Sequence, residues 1–394
     1  MTAKRGINFL QTPGPTHIPD RVLQAMQRQS IDFAGQQFKD IALSCYPDIK
    51  TLFRTEGEVF IYTCNGHGAW EAVLTNLFSP GDKVLVPETG MFSLSWKTLA
   101  EALGIVVEYI ESDWRHAVDP ARIEQRLRED SAHEIKAVLL VHTDTATSVT
   151  SDIAGVRRAI DAAGHPALYA IDAVASLATT DFRMDDWGVD AALSASQKGL
   201  MLPPGLALVA ANNKALAACE KATLPRFYWD WRERLKEHHY KWFCGTAPEH
   251  LVFGLRASLD LLAEEGPENT FARHRRLARA ARAAVAVWAE GGALDFNVIE
   301  PVDRAEAVTT VLMAEGQDAN AVRNVCYDRF DVSLGTGLGQ LEGHGFRIAH
   351  MGDINAPMLL GALGCVEATL CILGVPHGAG GVTAAVGELA RQEN

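Results

Sequence analysis

From residue 58 to 211 the chain alternates short, continuously apolar runs with helix-length stretches. The runs EVFIY (58–62), KVLVP (83–87), IVVEYI (105–110), KAVLLV (136–141), LYAI (168–171), DAALS (190–194) and LALVA (206–210) have the length and aliphatic content of strands. Segments between them, such as GAWEAVLTNLF (68–78) and DIAGVRRAIDAAG (152–164), are long enough for helices. A strand that is apolar at nearly every position is buried on both faces, so helices must cover both sides of the sheet. The pattern predicts a large α/β domain built on a mainly parallel, seven-stranded sheet.

The segment PRFYWDWRERLKEHHYKWFCG (225–245) breaks this alternation; aromatic, charged and poor in glycine, it reads as an excursion. From 247 to 290 the pattern is helical. In NTFARHRRLARAARAAVAVWAE (269–290), Phe271, Leu277, Ala281, Val285 and Trp288 fall near helical spacing, which leaves the arginines on a solvated face. Beyond 295, the strand-like runs AVTTVLM (307–313) and FRIAH (346–350), with helices between and after, predict a smaller α+β domain. The expected division is an N-terminal arm plus large domain over 1–265 and a small C-terminal domain over 266–394.

Composition narrows the function classes. A chain of 394 residues exceeds what one simple core holds, in keeping with two domains. A net charge of -13 argues against a nucleic-acid partner, which calls for a basic face. The seven cysteines show no CxxC spacing, so no metal site is expected and the thiols read as reduced, as in the cytoplasm. The first residues, MTAKRGINFLQTPGP, hold no apolar run fit for a signal peptide, and the last, ARQEN, no peroxisomal tripeptide. No run is expected to approach the roughly 18 apolar residues of a membrane span.

The candidate chemistry gathers where strands end. Asp172 follows the strand ALYAI (167–171) at its C-terminal end, the end at which open α/β sheets bind ligands. An acid there also suits a helix cap. Lys198, in SASQKGLMLPPGLALV (194–209), lies just past the next strand candidate. An acid and an amine leaving consecutive strands into one crevice suit pyridoxal phosphate: the amine bonds to the aldehyde, and the acid keeps the ring nitrogen protonated. In NGHGAWEAVLTNLF (65–78) a strand runs into Gly66, His67 and Gly68 before a helix, a turn that can bring free N–H groups to a phosphate. It is neither a Walker loop nor a dinucleotide fingerprint. Phe92, after the strand 83–87, is placed to lie flat on a ring or to fill the core. Thr145, in HTDTATSV (142–149), offers a hydroxyl to a cofactor or to its own turn.

In this order, GHG, Phe92, HTDTATS, IDAVAS, SASQKG with PPG, and a late FRIAHMGD, together with TPGPTHIP at 12–19, resemble the class V aminotransferases of fold type I. Within that family the chain is similar to the alanine/serine/aspartate–glyoxylate enzymes over roughly residues 10–375. The resemblance implies a homodimer in which Lys198 carries pyridoxal 5'-phosphate and Asp172 meets its ring nitrogen. It assigns Gly66, His67, Gly68 and Gln197 to the phosphate, Phe92 to the ring face and Thr145 to a hydroxyl position near the ring. Thr246 is implied to reach the phosphate of the other subunit, Arg347 to clamp the substrate carboxylate, and the backbone at Gly14 to lie at the substrate.

Three positions depart from the family pattern. Phe243 stands where a tyrosine is usual, with Tyr240 the nearest substitute. DFAGQQF (32–38) replaces His-Arg-Ser-Pro, and His17 replaces an asparagine. The expected reaction is transfer of an amino group from serine, alanine or aspartate to glyoxylate or pyruvate. The competing reading on the same fold is a lyase of the cysteine desulfurase kind, for which Cys244 is the candidate nucleophile. A nicotinamide dehydrogenase lacks its glycine fingerprint, and a non-catalytic binding protein would not need both Lys198 and Asp172.

Overall fold

The computed structural model describes residues 6–237 and 242–391. Its large sheet has seven strands in the order Glu58–Tyr62, Ala207–Ala211, Ala191–Ala195, Leu168–Asp172, Ile135–Val141, Lys83–Pro87, Val106–Ile110. Only Ala207–Ala211 runs against its neighbours. Each strand lies within one residue of its sequence-based position. The cause is double-sided burial. Leu85, Val138, Leu140, Tyr169, Ile171, Ala192 and Leu208 enter one hydrophobic cluster, while Val84, Val86, Leu139, Ala170, Leu193 and Val209 enter another on the opposite face. Alternate residues of one strand thus feed two helix layers.

The common polarity of six strands decides where the site can form. The chain leaves the strands ending at Tyr62, Pro87, Val141, Asp172 and Ala195 on the same edge of the sheet. Asp172 is one of those ends, and Gly66–Gly68, Phe92, Thr145 and Lys198 follow the others.

A second sheet has five strands in the order Phe9–Gln11, Val332–Thr336, Gly345–Ala349, Val308–Met313, Leu294–Phe296. Two of them match the expected runs. Phe9–Gln11, Val332–Thr336 and Leu294–Phe296 were not expected, and the first joins the N-terminal arm to the small sheet, pairing parallel with Val332–Leu334. Helices Pro267–Ala289, Ala319–Phe330, Ala356–Leu373 and Gly381–Leu389 pack with this sheet around Leu277, Val311, Phe346 and Val366. Within Pro267–Ala289 only part of the arginine run meets solvent. Arg275 and Arg276 are exposed, but Arg273 is held by Glu265 at 2.6 Å and by the Gly352 carbonyl at 2.8 Å, and Arg282 donates to the Arg304 carbonyl.

The sequence expectation on apolar runs needs one correction. Ala356–Leu373 is 18 residues long with a mean hydropathy of 1.9, so by length and composition it could cross a bilayer. Its Leu359, Ala362, Leu363, Val366 and Leu370 are buried in the small-domain core. Ile372 and Leu373 at its C-terminal end are exposed.

The excursion at 225–245 is also more embedded than its charge suggests. Trp231 is stacked on Phe60 with ring centroids 5.3 Å apart, and the buried Arg234 lies over the Tyr62 ring while donating to the carbonyls of Ile61 and Trp242.

Candidate active site

A cavity of about 360 Å³ opens at the shared strand edge, lined among others by Gly14, Gly66, His67, Phe92, Thr145, Asp172, Gln197 and Lys198. Eight positions singled out in the sequence therefore meet around one space. Strand polarity explains it: each residue ends a parallel strand or follows one within a few residues, except Gly14, which the N-terminal arm brings across.

Lys198 and Asp172 are both nearly sealed from solvent, at 8% and 3% exposure. The Lys198 amine donates to the Pro13 carbonyl, and the Lys198 carbonyl accepts from Thr16 Oγ1 at 3.1 Å. Gly14 makes this approach possible. It has φ +100°, and a Cβ there would stand 2.7 Å from the Lys198 Cδ, Cε and Nζ atoms. Burial pushes the Lys198 amine down to about 8, with the nearby Arg347 charge acting the same way and Asp172 and Asp144 opposing. Burial pushes the Asp172 carboxyl up to about 6, against the N–H groups of Val174 and Trp70 that favour its ionised form. Those donors sit at 2.7 Å from Oδ1 and 2.8 Å from Oδ2. The site thus holds an amine that sheds its proton near neutrality and an acid ionised just below it, a pairing typical of acid–base centres.

The turn after Tyr62 places His67 beside Trp70, ring centroids 4.4 Å apart, at the start of the helix Gly66–Leu77. Asn65 Oδ1 accepts from the His67 and Gly68 amides at 3.1 and 3.4 Å. Gly66 lines the cavity but Gly68 does not: a Cβ at Gly68 would meet Cys64 Sγ at 2.8 Å and Trp229 at 3.1 Å, so this glycine serves the packing of the turn. Gln197 Oε1 is buried without a hydrogen-bond partner, an acceptor left for a donor that enters the cavity.

Arg347 stands on the strand Gly345–Ala349, 7% exposed and behind the cavity wall rather than lining it. Its Nε donates to the Thr336 carbonyl at 2.7 Å and its Nη1 to the Thr145 carbonyl at 2.9 Å, leaving Nη2 for a ligand. Gly335 clears its path, since a Cβ there would lie 2.9 Å from the Arg347 Cβ and 2.7 Å from Pro13 Cδ. Burial draws this guanidinium down to about 10, still cationic at neutral pH.

Thr246 is exposed, just past a turn in which Cys244 has φ 53°, and lies outside the cavity of its own chain. Phe243 packs on Phe38 in the large-domain core, 6.1 Å between centroids, so its ring fills space there. Tyr240 falls outside the described residues. Among the described residues no cysteine lines the cavity, Cys244 included. His17 Nδ1 faces Asp353 at 3.5 Å, away from the cavity lining.

Two site residues were not singled out from the sequence. Trp70 reads as one more apolar position of a buried helix; the signal is that a buried indole N–H needs an acceptor, and here it finds Asp172. Asp144 reads as part of a polar turn, yet it is fully buried.

Comparison with known proteins fits this geometry. The model of the class V aminotransferase family matches residues 8–338. A serine–glyoxylate aminotransferase of Methylorubrum extorquens is 43% identical, covering 99% of this chain and 98% of that protein. An L-aspartate–glyoxylate aminotransferase of Paracoccus denitrificans is 41% identical over 98% of this chain and 96% of its own length. The crystal structure of a ureidoglycine–glyoxylate aminotransferase from Bacillus subtilis superposes with a TM-score of 0.90 at 25% identity, covering 99% of this chain and 100% of that one. A buried lysine and aspartate at the strand edge, inside a chain that the family model matches over residues 8–338, lead to one assignment: the protein belongs to the class V aminotransferases.

Proposed function

We propose that the protein is a pyridoxal-phosphate-dependent aminotransferase that moves the amino group of a small L-amino acid (serine, alanine or aspartate) to glyoxylate or pyruvate. The observation that carries the reading is Lys198 and Asp172 buried in one cavity, with their protonation equilibria drawn toward neutrality from opposite sides. The names of the similar proteins supply the substrate class.

The residues fit the cofactor. Lys198 would hold it covalently, the ionised Asp172 would face its ring nitrogen, Phe92 one ring face, and Gly66, His67 and Gln197 its phosphate, Gln197 through its amide nitrogen as donor. When bound, pyridoxal phosphate supplies a cationic ring that withdraws electrons from the substrate Cα. The rest is done by the chain. Asp172 holds the ring proton in place by its charge. Lys198 Nζ, once freed from the cofactor, would take the proton from the substrate Cα as base and give it up again as acid. An amine pushed down to about 8 suits both roles near neutral pH. Arg347 Nη2, the nitrogen of that group not spent on a carbonyl, would meet the α-carboxylate, and Trp70 and Phe92 form apolar walls of the cavity.

Arg347→Ala is expected to raise KM for α-amino acids and α-keto acids alike, because both present the same carboxylate. Arg347→Lys should restore only part of the loss, since an ammonium lacks the forked donor set. Steady-state kinetics of each half-reaction checks this; a defect in one half alone would put the clamp elsewhere.

Small unbranched acceptors should be preferred, glyoxylate first and pyruvate second, over 2-oxoglutarate. A second carboxylate needs a second cation in a closing site. Two arginines of the 225–245 segment are committed elsewhere: Arg226 to the carbonyls of Thr75, Ala222 and Cys219, and Arg234 to those of Ile61, Tyr228 and Trp242. Arg232 pairs with Asp230 at 2.6 Å. By the same reasoning alanine and serine should exceed aspartate as donors. The test is kcat/KM across glyoxylate, pyruvate, oxaloacetate and 2-oxoglutarate with one donor fixed. Preference for 2-oxoglutarate would contradict the reading and make Arg323, whose charge is felt at Arg347, the first residue to replace.

The proposal includes a homodimer, which the exposed position of Thr246 outside its own cavity supports. It includes a cytoplasmic location, supported by seven unpaired thiols, and no membrane or nucleic-acid partner, the latter supported by the net charge of -13.

A further inference from the structure

Helix Met91–Ala102 carries Phe92 at the cavity, yet its N-cap position is Gly90, which has no side chain to accept from the first helical amides. Nor could one be accommodated: Gly90 has φ +152°, and a Cβ would meet Thr147 Cγ2 at 2.6 Å and the Asp144 carboxyl carbon at 2.8 Å. The acceptor comes from a distant element instead. Asp144, fully buried, takes the Phe92 amide at 2.9 Å, the Ser93 amide at 3.4 Å and Thr89 Oγ1 at 3.3 Å on Oδ2, and the Ala146 amide at 2.9 Å on Oδ1.

The same carboxylate fixes the loop it belongs to. Its neighbour Thr145 gives its carbonyl to Arg347 Nη1 at 2.9 Å. The Ala146 carbonyl accepts from Thr310 Oγ1 at 3.2 Å, and Thr147 Oγ1 donates to the Thr89 carbonyl at 2.9 Å. The loop is therefore stitched to the Phe92 helix on one side and to the small-domain strand beside Arg347 on the other.

We propose that Asp144 is a positioning residue that couples the ring-stacking face of the site to its carboxylate clamp: one buried carboxylate sets both the Phe92 ring and the Thr145 carbonyl that aims Arg347. The inference rests on the cofactor reading above. Asp172, Lys198 and Arg347 all lie within electrostatic reach of Asp144, and burial raises the Asp144 carboxyl above its usual range while its four donors oppose that. Charge as well as shape is thus involved.

The test uses Asp144→Asn, of nearly unchanged shape, with Phe92→Leu and the double variant, each loaded with pyridoxal phosphate. The readouts are visible circular dichroism of the bound cofactor, which reports the ring's asymmetric packing, and KM for amino acids. Asp144→Asn is expected to reduce the dichroism and to raise KM by about tenfold or more, the effect of losing hydrogen bonds to a buried charge. Phe92→Leu should also reduce the dichroism, and the double variant should lose no more dichroism than the more affected of the two single variants. Thr89→Val, which removes only one of the hydrogen bonds, should shift both readouts in the same direction by less, and it stands in if Asp144→Asn does not fold. Wild-type dichroism and KM with only a lower melting temperature would reduce Asp144 to a structural cap and overturn the proposal. Failure of the wild-type protein to bind the cofactor at Lys198 would instead strike the underlying reading.

Discussion

Lys198→Ala is expected to abolish transamination, by about 10³-fold or more, and to leave the fold intact. The magnitude follows from removing a covalent attachment point and a general base at once. Among the described residues no other lysine lines the cavity, so none of them offers a neighbouring amine as substitute. The fold should survive because truncation removes a cation that burial penalises, and the Lys198 backbone carbonyl keeps its bonds from Thr16 Oγ1 and the Met201 amide. Turnover by the variant, measured with serine and glyoxylate beside a circular dichroism melt, decides it; activity near wild type would remove Lys198 from the chemistry.

Asp172→Asn is expected to keep cofactor binding while lowering kcat on the order of 10²-fold or more, the consequence of removing one charge from a buried ion pair. The amide can still accept one hydrogen bond, but it cannot hold a proton on the ring nitrogen by charge. The wild-type protein should show the same dependence through pH. The ionised carboxylate is the form that pairs with a protonated ring nitrogen. With the cofactor-free carboxyl at about 6, binding should be strong above that value and weaken as pH falls through it. The asparagine variant should lose this acid limb. An unchanged rate in the variant would mean that Asp172 only caps the turn through Val174.

The large sheet was legible because its strands are buried on both faces and therefore apolar without interruption. Phe9–Gln11 and Leu294–Phe296 are three residues long, too short to carry a pattern. Val332–Thr336 mixes serine, glycine and threonine and begins directly after Asp331 in a left-handed conformation. The small sheet accepts such residues because Gly335 is what clears space for Arg347. Lys198, Asp172 and Phe92 were visible because each is a chemically distinct residue just after a strand. Trp70 and Asp144 were not, since their importance lies in partners 102 and 52 residues away that only the folded chain brings close. Gly68 was overread: the glycine turn is real, but its second glycine makes room for Cys64 and Trp229. In 225–245 the charge is spent inside the fold, Arg226 and Arg234 on backbone carbonyls and Arg232 on Asp230.

The most direct test of the account is to load the purified protein with pyridoxal phosphate, reduce it with borohydride to fix any carbon–nitrogen double bond, and map the modified peptide by mass spectrometry. The account predicts a single phosphopyridoxyl group on Lys198, lost when L-serine or L-alanine is added before the reductant because the amino group has then passed to the cofactor. A label on another lysine, or a Lys198 label that no amino acid removes, would contradict it.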